Sequence, residues 1–370
     1  MTDARYGRHN LINWFSQEAV ARTKVAVIGA GAVGNEVIKN LALLGVGEIH
    51  IFDLDLIEEH NLTRSVLFRE TDIGRSKAEV AAQRAVELDS NVSAVPFHGD
   101  FWNFLEFSQL TTFDVVFCCV DNFEARIRCN TLCYLTRVDF VNMGIDSRSA
   151  VVEVFPFSRT STAGCFECNL PATVYSRMGE RYSCSHLRKI SFIERKIPTT
   201  IITSTIAGSL AVSFGLRLGV GDDIIEARRF YVDTISGSLT RATLARAEDC
   251  ACCGRLSADP ILIKSKRAIG ELPEGIELDA TVTTSEPILV SYRIAGEDTR
   301  HLVFRNASSF DSSFPESVSA DAGSVELEVR DQFTIEELIG RFAGFDMPCK
   351  FALVSGNGKI LLCEFEGQTS

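Results

Sequence analysis

From Lys24 to about Val154, short apolar runs alternate with stretches of helical period. KVAVIG (24–29), EIHIFD (48–53), VSAVPF (92–97), DVVFCC (114–119) and VDFVNM (138–143) have the length and near-continuous apolar content of strands buried on both faces. Helices are predicted between them at 33–44, 75–89 and 123–136. This alternation predicts an α/β fold, a Rossmann-like and mostly parallel sheet covered by helices on both sides. A further strand is expected at 148–155, accompanied by 226–244, and an apolar helix at about 200–219. The stretch 156–198 between them has no clean period, and a loop that long inside a domain is usually functional or partly disordered.

After Gly254 the pattern changes. Residues 260–305 and 325–330 alternate like antiparallel strands, 307–323 is a loop rich in Ser, Ala and Asp, and 334–342 has the period of a short amphipathic helix. KFALVS (350–355) and KILLCEF (359–365) form a strand pair. Two domains follow: 1–254, holding an irregular loop at about 169–198, and a small α+β domain at 255–370. The chain's 370 residues, more than one core usually serves, support that division.

The net charge of −12 argues against a nucleic-acid-binding face. Residues 255–370 hold 11 basic and 19 acidic residues, so most of the excess resides in the tail. A polyphosphate site must then be built from a few locally placed cations. No apolar run approaches the roughly 18 residues that span a bilayer, and the N-terminus lacks the apolar core of a signal peptide. A cytoplasmic protein with no membrane partner is expected. In that setting the 12 cysteines point to metal or thiol chemistry rather than disulfides. Cys118, Cys119, Cys129 and Cys133 fall in apolar or helical segments and are expected to be inert core thiols.

The first strand runs into Gly29-Ala30-Gly31-Ala32-Val33-Gly34, which opens a helix. Glycines allow the tight turn and a close approach of backbone to phosphate, and free N–H groups at the helix start attract the anion. The next strand ends in Asp53, placed to take ribose hydroxyls. These features suit NAD and ATP alike. The choice rests on Asn61, Arg64, Lys77 and Asp121, each of which taken alone suits a solvated surface position. A hydride-transfer site has little use for an Arg, a Lys and an acid near the phosphates, whereas adenylyl transfer between two anions needs cations and an acid to hold Mg²⁺. Arg64 and Lys77 suit the first task, Asp121 the second, and Asn61 can orient phosphates.

Cys165-Phe-Glu-Cys168 and Cys250-Ala-Cys252-Cys253 each offer a C-x-x-C pair. Four thiolates make a closed tetrahedral Zn²⁺ site that is structural rather than catalytic. Cys165, Cys168, Cys250 and Cys253 are the expected ligands, with Cys252 an alternative to Cys250.

RYGRH (5–9), GAGAVG (29–34), DLDLIEEHNLTR (53–64), GRSK (74–77), VDNFEAR (120–126) and the cysteine pairs, taken in order, resemble the ubiquitin-activating-enzyme superfamily. The resemblance is to its compact bacterial members, the ThiF-type adenylyltransferases of thiamine and molybdopterin biosynthesis, and covers about 1–254. It implies ATP as cofactor with the phosphate loop at Gly29, Gly31 and Gly34, ribose binding by Asp53, phosphate contacts by Asn61, Arg64 and Lys77, and Mg²⁺ at Asp121. It also implies a homodimer in which Arg8, rather than Arg5, reaches the partner's triphosphate. Family members that pass an acyl group to a thiol carry a cysteine in the loop where Cys184 stands, here among Arg181, Arg188 and Lys189. A basic setting favours the thiolate, although an exposed loop cysteine can also be functionless. The loop is longer than the thiamine and molybdopterin pattern, and KIPTTIITSTIAGSLAV after it resembles a subgroup accompanying ubiquitin-conjugating-like proteins.

The expected function is therefore adenylation of the C-terminal glycine of a ubiquitin-like β-grasp protein, thioester formation on Cys184, and transfer to a conjugating enzyme. The acidic tail would recruit that enzyme, or would stabilise or dimerise the chain. Alternatives are adenylation of a sulfur-carrier protein, an NAD-dependent oxidoreductase, and a catalytically dead scaffold.

Overall fold

The alternating pattern folds, in a computed structural model, into an eight-stranded sheet of order β3-β2-β1-β4-β5-β6-β7-β8. The structure describes residues 4–160, 162–171, 174, 198–221, 224–248, 250 and 252–253, together with seven strands of the C-terminal region. The sheet belongs to a unit made of Met1–Leu105, Gln109–Phe166 and Lys196–Ala245. Its strands are β1 (Lys24–Ile28), β2 (Glu48–Asp53), β3 (Ser93–His98), β4 (Val115–Cys118), β5 (Asp139–Ile145), β6 (Ser149–Phe155), β7 (Arg228–Asp233) and β8 (Ser238–Thr243). The first five are parallel, and β6, β7 and β8 continue the sheet antiparallel.

The helices are α1 (Gln17–Arg22), α2 (Ala32–Leu43), α3 (Lys77–Leu88), the one-turn α4 (Phe101–Phe104) and α5 (Phe107–Leu110), α6 (Phe123–Thr136) and α7 (Ile201–Gly219). Val33, Val37, Ile38 and Leu41 of α2 recur at helical spacing and are buried with Val27, Phe117 and Val141 of the central strands. Each such side chain contributes about 1.5–3 kcal/mol by leaving water. Ser76 and Asn122 start α3 and α6 by accepting the backbone N–H of Glu79 and Ala125 at 3.4 and 2.8 Å.

Two sequence expectations need correction. The run at 92–97 was expected to be buried on both faces, but β3 is the edge strand and no residue in it is fully buried. Pro96, which cannot donate to a second neighbour, is at home there. The absence of an apolar run of membrane length also needs qualifying. By length and composition α7 is apolar enough to cross a membrane, although half of it is buried inside the protein. It packs on α2, β5 and β6, and its interrupting hydroxyls are satisfied internally: Thr203 Oγ1 donates to the Asp146 carbonyl at 2.9 Å and Ser204 Oγ to that of Thr200 at 3.1 Å.

A second unit comprises Glu106–Ser108, Glu167–Arg195 and Arg246–Ser370. Its described strands are β9 (Pro260–Ser265), β10 (Val282–Thr284), β11 (Ile288–Arg293), β12 (Thr299–Arg305), β13 (Glu326–Val329), β14 (Cys349–Ser355) and β15 (Ile360–Phe365). They form sheets of order β10-β14-β15-β9 and β11-β12-β13. The antiparallel reading of this region is only partly right, because β9 pairs β15 and β12 pairs β13 in parallel. Side chains alternate equally in both arrangements, so the pattern alone does not reveal direction. The expected helix at 334–342 and the loop at 307–323 lie outside the described residues.

Candidate functional site

The strand order changes direction between β1 and β4, and the carboxyl ends of those two strands are where open α/β sheets place their ligands. The predicted glycine turn lies there. Gly29 donates its N–H to the Phe52 carbonyl at 2.7 Å and has φ +95°, which an L side chain rarely adopts. A Cβ on Gly34 would come within 2.0 Å of the Gly29 carbonyl oxygen, whereas one on Gly31 would meet nothing within 4 Å. The turn is therefore closed on its inner side and open over Gly31. From Gly31 α2 begins with no side-chain cap, which leaves the anion-attracting start of the helix on the Gly31 side of the turn.

Asn35 is a part of this site that the sequence reading missed. It is fully buried, donates to the carbonyls of Ala30 and Gly31 at 2.6 and 3.0 Å, and accepts the Leu67 N–H at 2.9 Å. By taking the turn's carbonyls it leaves the amides as the outward groups. Its only sequence signal is a polar residue on the apolar side of α2.

Asp53 closes the turn from β2. Its carboxylate accepts the N–H groups of Ala30 and Asp55 at 2.6 and 2.8 Å. Burial raises its proton affinity, and the Lys77 ammonium opposes that rise. Lys77 arrives because 55–57 pairs with 74–77: Ile57 donates to Arg75 at 2.9 Å and Lys77 to Asp55 at 3.1 Å through the backbone. The Lys77 side chain is only 11% exposed, and its Nζ lies 2.8 Å from Asp55 Oδ2. Asp121, just past β4, is exposed, with Asn122 Nδ2 at 3.4 Å. The turn is thus bonded directly to Asp53, Lys77 is linked to Asp53 through Asp55, and Asp121 stands at the neighbouring strand end.

Other predicted residues are engaged locally. Asn61 Oδ1 accepts the Glu58 N–H at 2.9 Å, capping a short turn, and Arg64 Nη1 donates to the His60 carbonyl at 2.7 Å. Arg5 pairs with Asp89 at 2.8 Å, whereas Arg8 is exposed. Among the described residues, no hydrogen bond or ion pair joins Arg8, Asn61 or Arg64 to Asp53, Lys77 or Asp121. Cys184 and its basic neighbours lie outside the described residues.

Cys165, Cys168, Cys250 and Cys253 converge, with every Sγ within 4.8 Å of the others. Tetrahedral Zn²⁺ with Zn–S bonds of about 2.3 Å needs thiolates roughly 4 Å apart, so these residues fit a zinc ion. The Ala247 N–H points at Cys168 Sγ from 3.4 Å, the kind of support a thiolate ligand receives. Cys252 is buried and lies outside this group of four. Burial pushes the thiols of Cys118, Cys119 and Cys129 well up, as expected of inert core cysteines.

A family model described as the ThiF family matches residues 6–253. The SUMO-activating enzyme subunit 2 of Dictyostelium discoideum is 36% identical over 153 residues, 41% of this chain and 22% of that protein. The ubiquitin-like modifier-activating enzyme 5 of Aedes aegypti is 30% identical over 223 residues, 56% of this chain and 54% of that protein. The chain therefore spans about half or less of the length of these curated relatives. The structure of E. coli MccB with ATP superimposes with a TM-score of 0.55 and 24% identity, over 68% of this chain and 75% of the other, a likeness of fold. Matched by the family model from Tyr6 to Cys253, across most of its length, the chain belongs to the ThiF family.

Proposed function

We propose that the chain uses ATP to adenylate the C-terminal carboxylate of a ubiquitin-like β-grasp protein. The observation that carries this reading is the union of the amide-lined turn, Asp53 and Lys77 at one end of the parallel sheet. The open amides of α2 and Lys77 take phosphate oxygens, and the Asp53 carboxylate takes the ribose hydroxyls. Arg64 and Asn61 turn from their local partners toward the phosphates, and Arg8 reaches the triphosphate of a partner subunit in a homodimer. Asp121 holds Mg²⁺, which when bound offsets negative charge on the phosphate oxygens. A carboxylate oxygen of the substrate attacks the α-phosphorus. The bond from that phosphorus to the bridging oxygen breaks, and pyrophosphate departs with the electron pair.

Names of relatives such as the modifier-activating enzyme support the protein-carboxylate substrate. In the second stage the Cys184 thiolate attacks the acyl carbonyl, the bond to AMP breaks, and the thioester passes to a conjugating-enzyme thiol recruited by 255–370. Adenylation of a sulfur carrier shares the first stage and differs only after it. An oxidoreductase would leave the Lys77–Asp55 arrangement without a purpose.

Exchange of labelled pyrophosphate into ATP by the purified chain tests the reading. Label should enter ATP only when a β-grasp protein ending in glycine is present; absence of exchange, or a bound nicotinamide, overturns it. Cys184→Ala should keep exchange and lose any thiol-reducible adduct, and an adduct that survives removes Cys184 from the mechanism. Elemental analysis should find one zinc per chain, lost in Cys168→Ser and kept in Cys252→Ser.

A further inference from the structure

We infer that Arg126 is the positioning residue of the turn that carries Asp121, and that buried Asn142 and Glu153, with the partly exposed Arg229, form a row that fixes it. The kinetic part of this inference rests on the proposed adenylation; the structural part does not.

Strand register places the row. Cys118 of β4 lies opposite Asn142 of β5, Asn142 opposite Glu153 of β6, and Glu153 opposite Arg229 of β7. Directly paired residues share a face of the sheet, and Arg126 approaches from α6. Its guanidinium donates to Asn142 Oδ1 at 2.6 Å and to the carbonyls of Met143 and Val120. Asn142 Nδ2 then donates to Glu153 Oε2 at 2.7 Å, while Arg229 Nε donates to Glu153 Oε1 at 2.8 Å. Asn142 and Glu153 are each 3% exposed.

An apolar row would serve the sheet equally well, because a buried charged network adds little stability over packed hydrocarbon. What this one adds is direction. The Asn142 oxygen faces the Arg126 donors and its N–H₂ faces Glu153, so the amide has a single workable orientation, and three acceptors give Arg126 a single seat. The far end of Arg126 holds the Val120 carbonyl, one residue before Asp121. The adjoining Cys119 carbonyl is also the wall a Cβ on Gly29 would strike at 2.9 Å. A shift of Arg126 therefore moves the Asp121 carboxylate and the surface against which the glycine turn rests.

The same logic yields a reversible test. Asn142→Asp sets an oxygen against Glu153, and Glu153→Gln sets an N–H₂ against Asn142, so each single change breaks the row. Made together they turn one bond around: the new amide donates to the new carboxylate, Arg126 and Arg229 keep their acceptors, and the net charge is unchanged.

In the unliganded full chain, amide hydrogen exchange of 119–126 should quicken by about tenfold or more in each single variant and return in the double. In pyrophosphate exchange, the half-saturating Mg²⁺ and the KM for ATP should rise on the order of tenfold in the singles and recover in the double. Singles that lower Tm while leaving the exchange of 119–126 and the Mg²⁺ requirement unchanged would reduce the row to a stabilising element and overturn the inference. A double variant that fails to recover would do the same. Should a single fail to fold, Arg126→Lys, which keeps the charge but loses the fork, carries the same expectation. Variants that show the hydrogen-exchange pattern, with a wild-type chain that gives no pyrophosphate exchange, support the positioning role and sink the adenylation reading alone.

Discussion

The two halves of the eight-stranded sheet use charge in opposite ways. In the parallel half the strands all run the same way, so their carboxyl ends and the loops that leave them collect on one side. There Asp121 is exposed, with Asn122 Nδ2 no nearer than 3.4 Å. In the antiparallel half, successive strands end on alternate sides, and β8 is exposed throughout. There Asp233 is saturated: Arg148 Nε lies 2.8 Å from both its oxygens, and Ile235 and Ser236 donate N–H groups at 2.9 and 3.1 Å. A carboxylate whose acceptor capacity is filled by the protein holds a turn in place; one left with spare capacity is available to a ligand.

Catalysis should separate the halves most sharply. Asp121→Ala and Arg64→Ala should each lower pyrophosphate exchange by about 100-fold or more, the usual effect of losing one electrostatic contact in an active site. Asp233→Asn should leave exchange near wild type. A normal rate in Asp121→Ala would break the contrast.

Stability should separate them less. Gly34→Ala drives a Cβ into the Gly29 carbonyl and should cost about 3 kcal/mol. Gly237→Ala, in the β7–β8 hairpin at φ +69° with open space around it, should cost only about 1 kcal/mol of backbone strain. Urea midpoints measure both, and equal losses would show that the glycine turn is not the tighter of the two.

The smallest effect concerns pH. Arg148 holds the Asp233 carboxyl well below the usual carboxylate range. A group whose folded value is depressed stabilises fully above its unfolded value, about 3.9, and loses that contribution as pH falls toward the folded one. The gap in urea midpoint between wild type and Asp233→Asn should stay level from neutral pH to about pH 4 and close below it. A gap that persists in stronger acid would remove Arg148 as its cause.

What the sequence revealed follows the range of each interaction. The glycine turn and Asp53 belong to one βα unit, and the strand–helix alternation states itself in a window of a few residues. The cysteine cluster was legible because paired thiols at fixed spacing carry a chemical meaning before any fold is known. Edge and centre look alike along a strand, so β3 was misjudged until its neighbours were in view. The link from Arg126 to Arg229 depends on the register of three strand pairings, which local pattern does not encode. Asn35 was overlooked because its partners are backbone atoms on either side of the glycine turn and at Leu67.

The ion pair between Lys77 and Asp55 changes what arrival of a phosphate means. A side chain only 11% exposed would be costly to leave as a bare cation, and here it already carries a surrogate anion. Under the proposed adenylation, an incoming phosphate would displace that carboxylate instead of adding to it, and Asp55, itself 57% exposed, would turn to water. Nucleotide entry would then trade one anion for another and leave the ammonium paired throughout. A chain of net charge −12 is thereby spared an open cationic hole that any passing polyanion could fill.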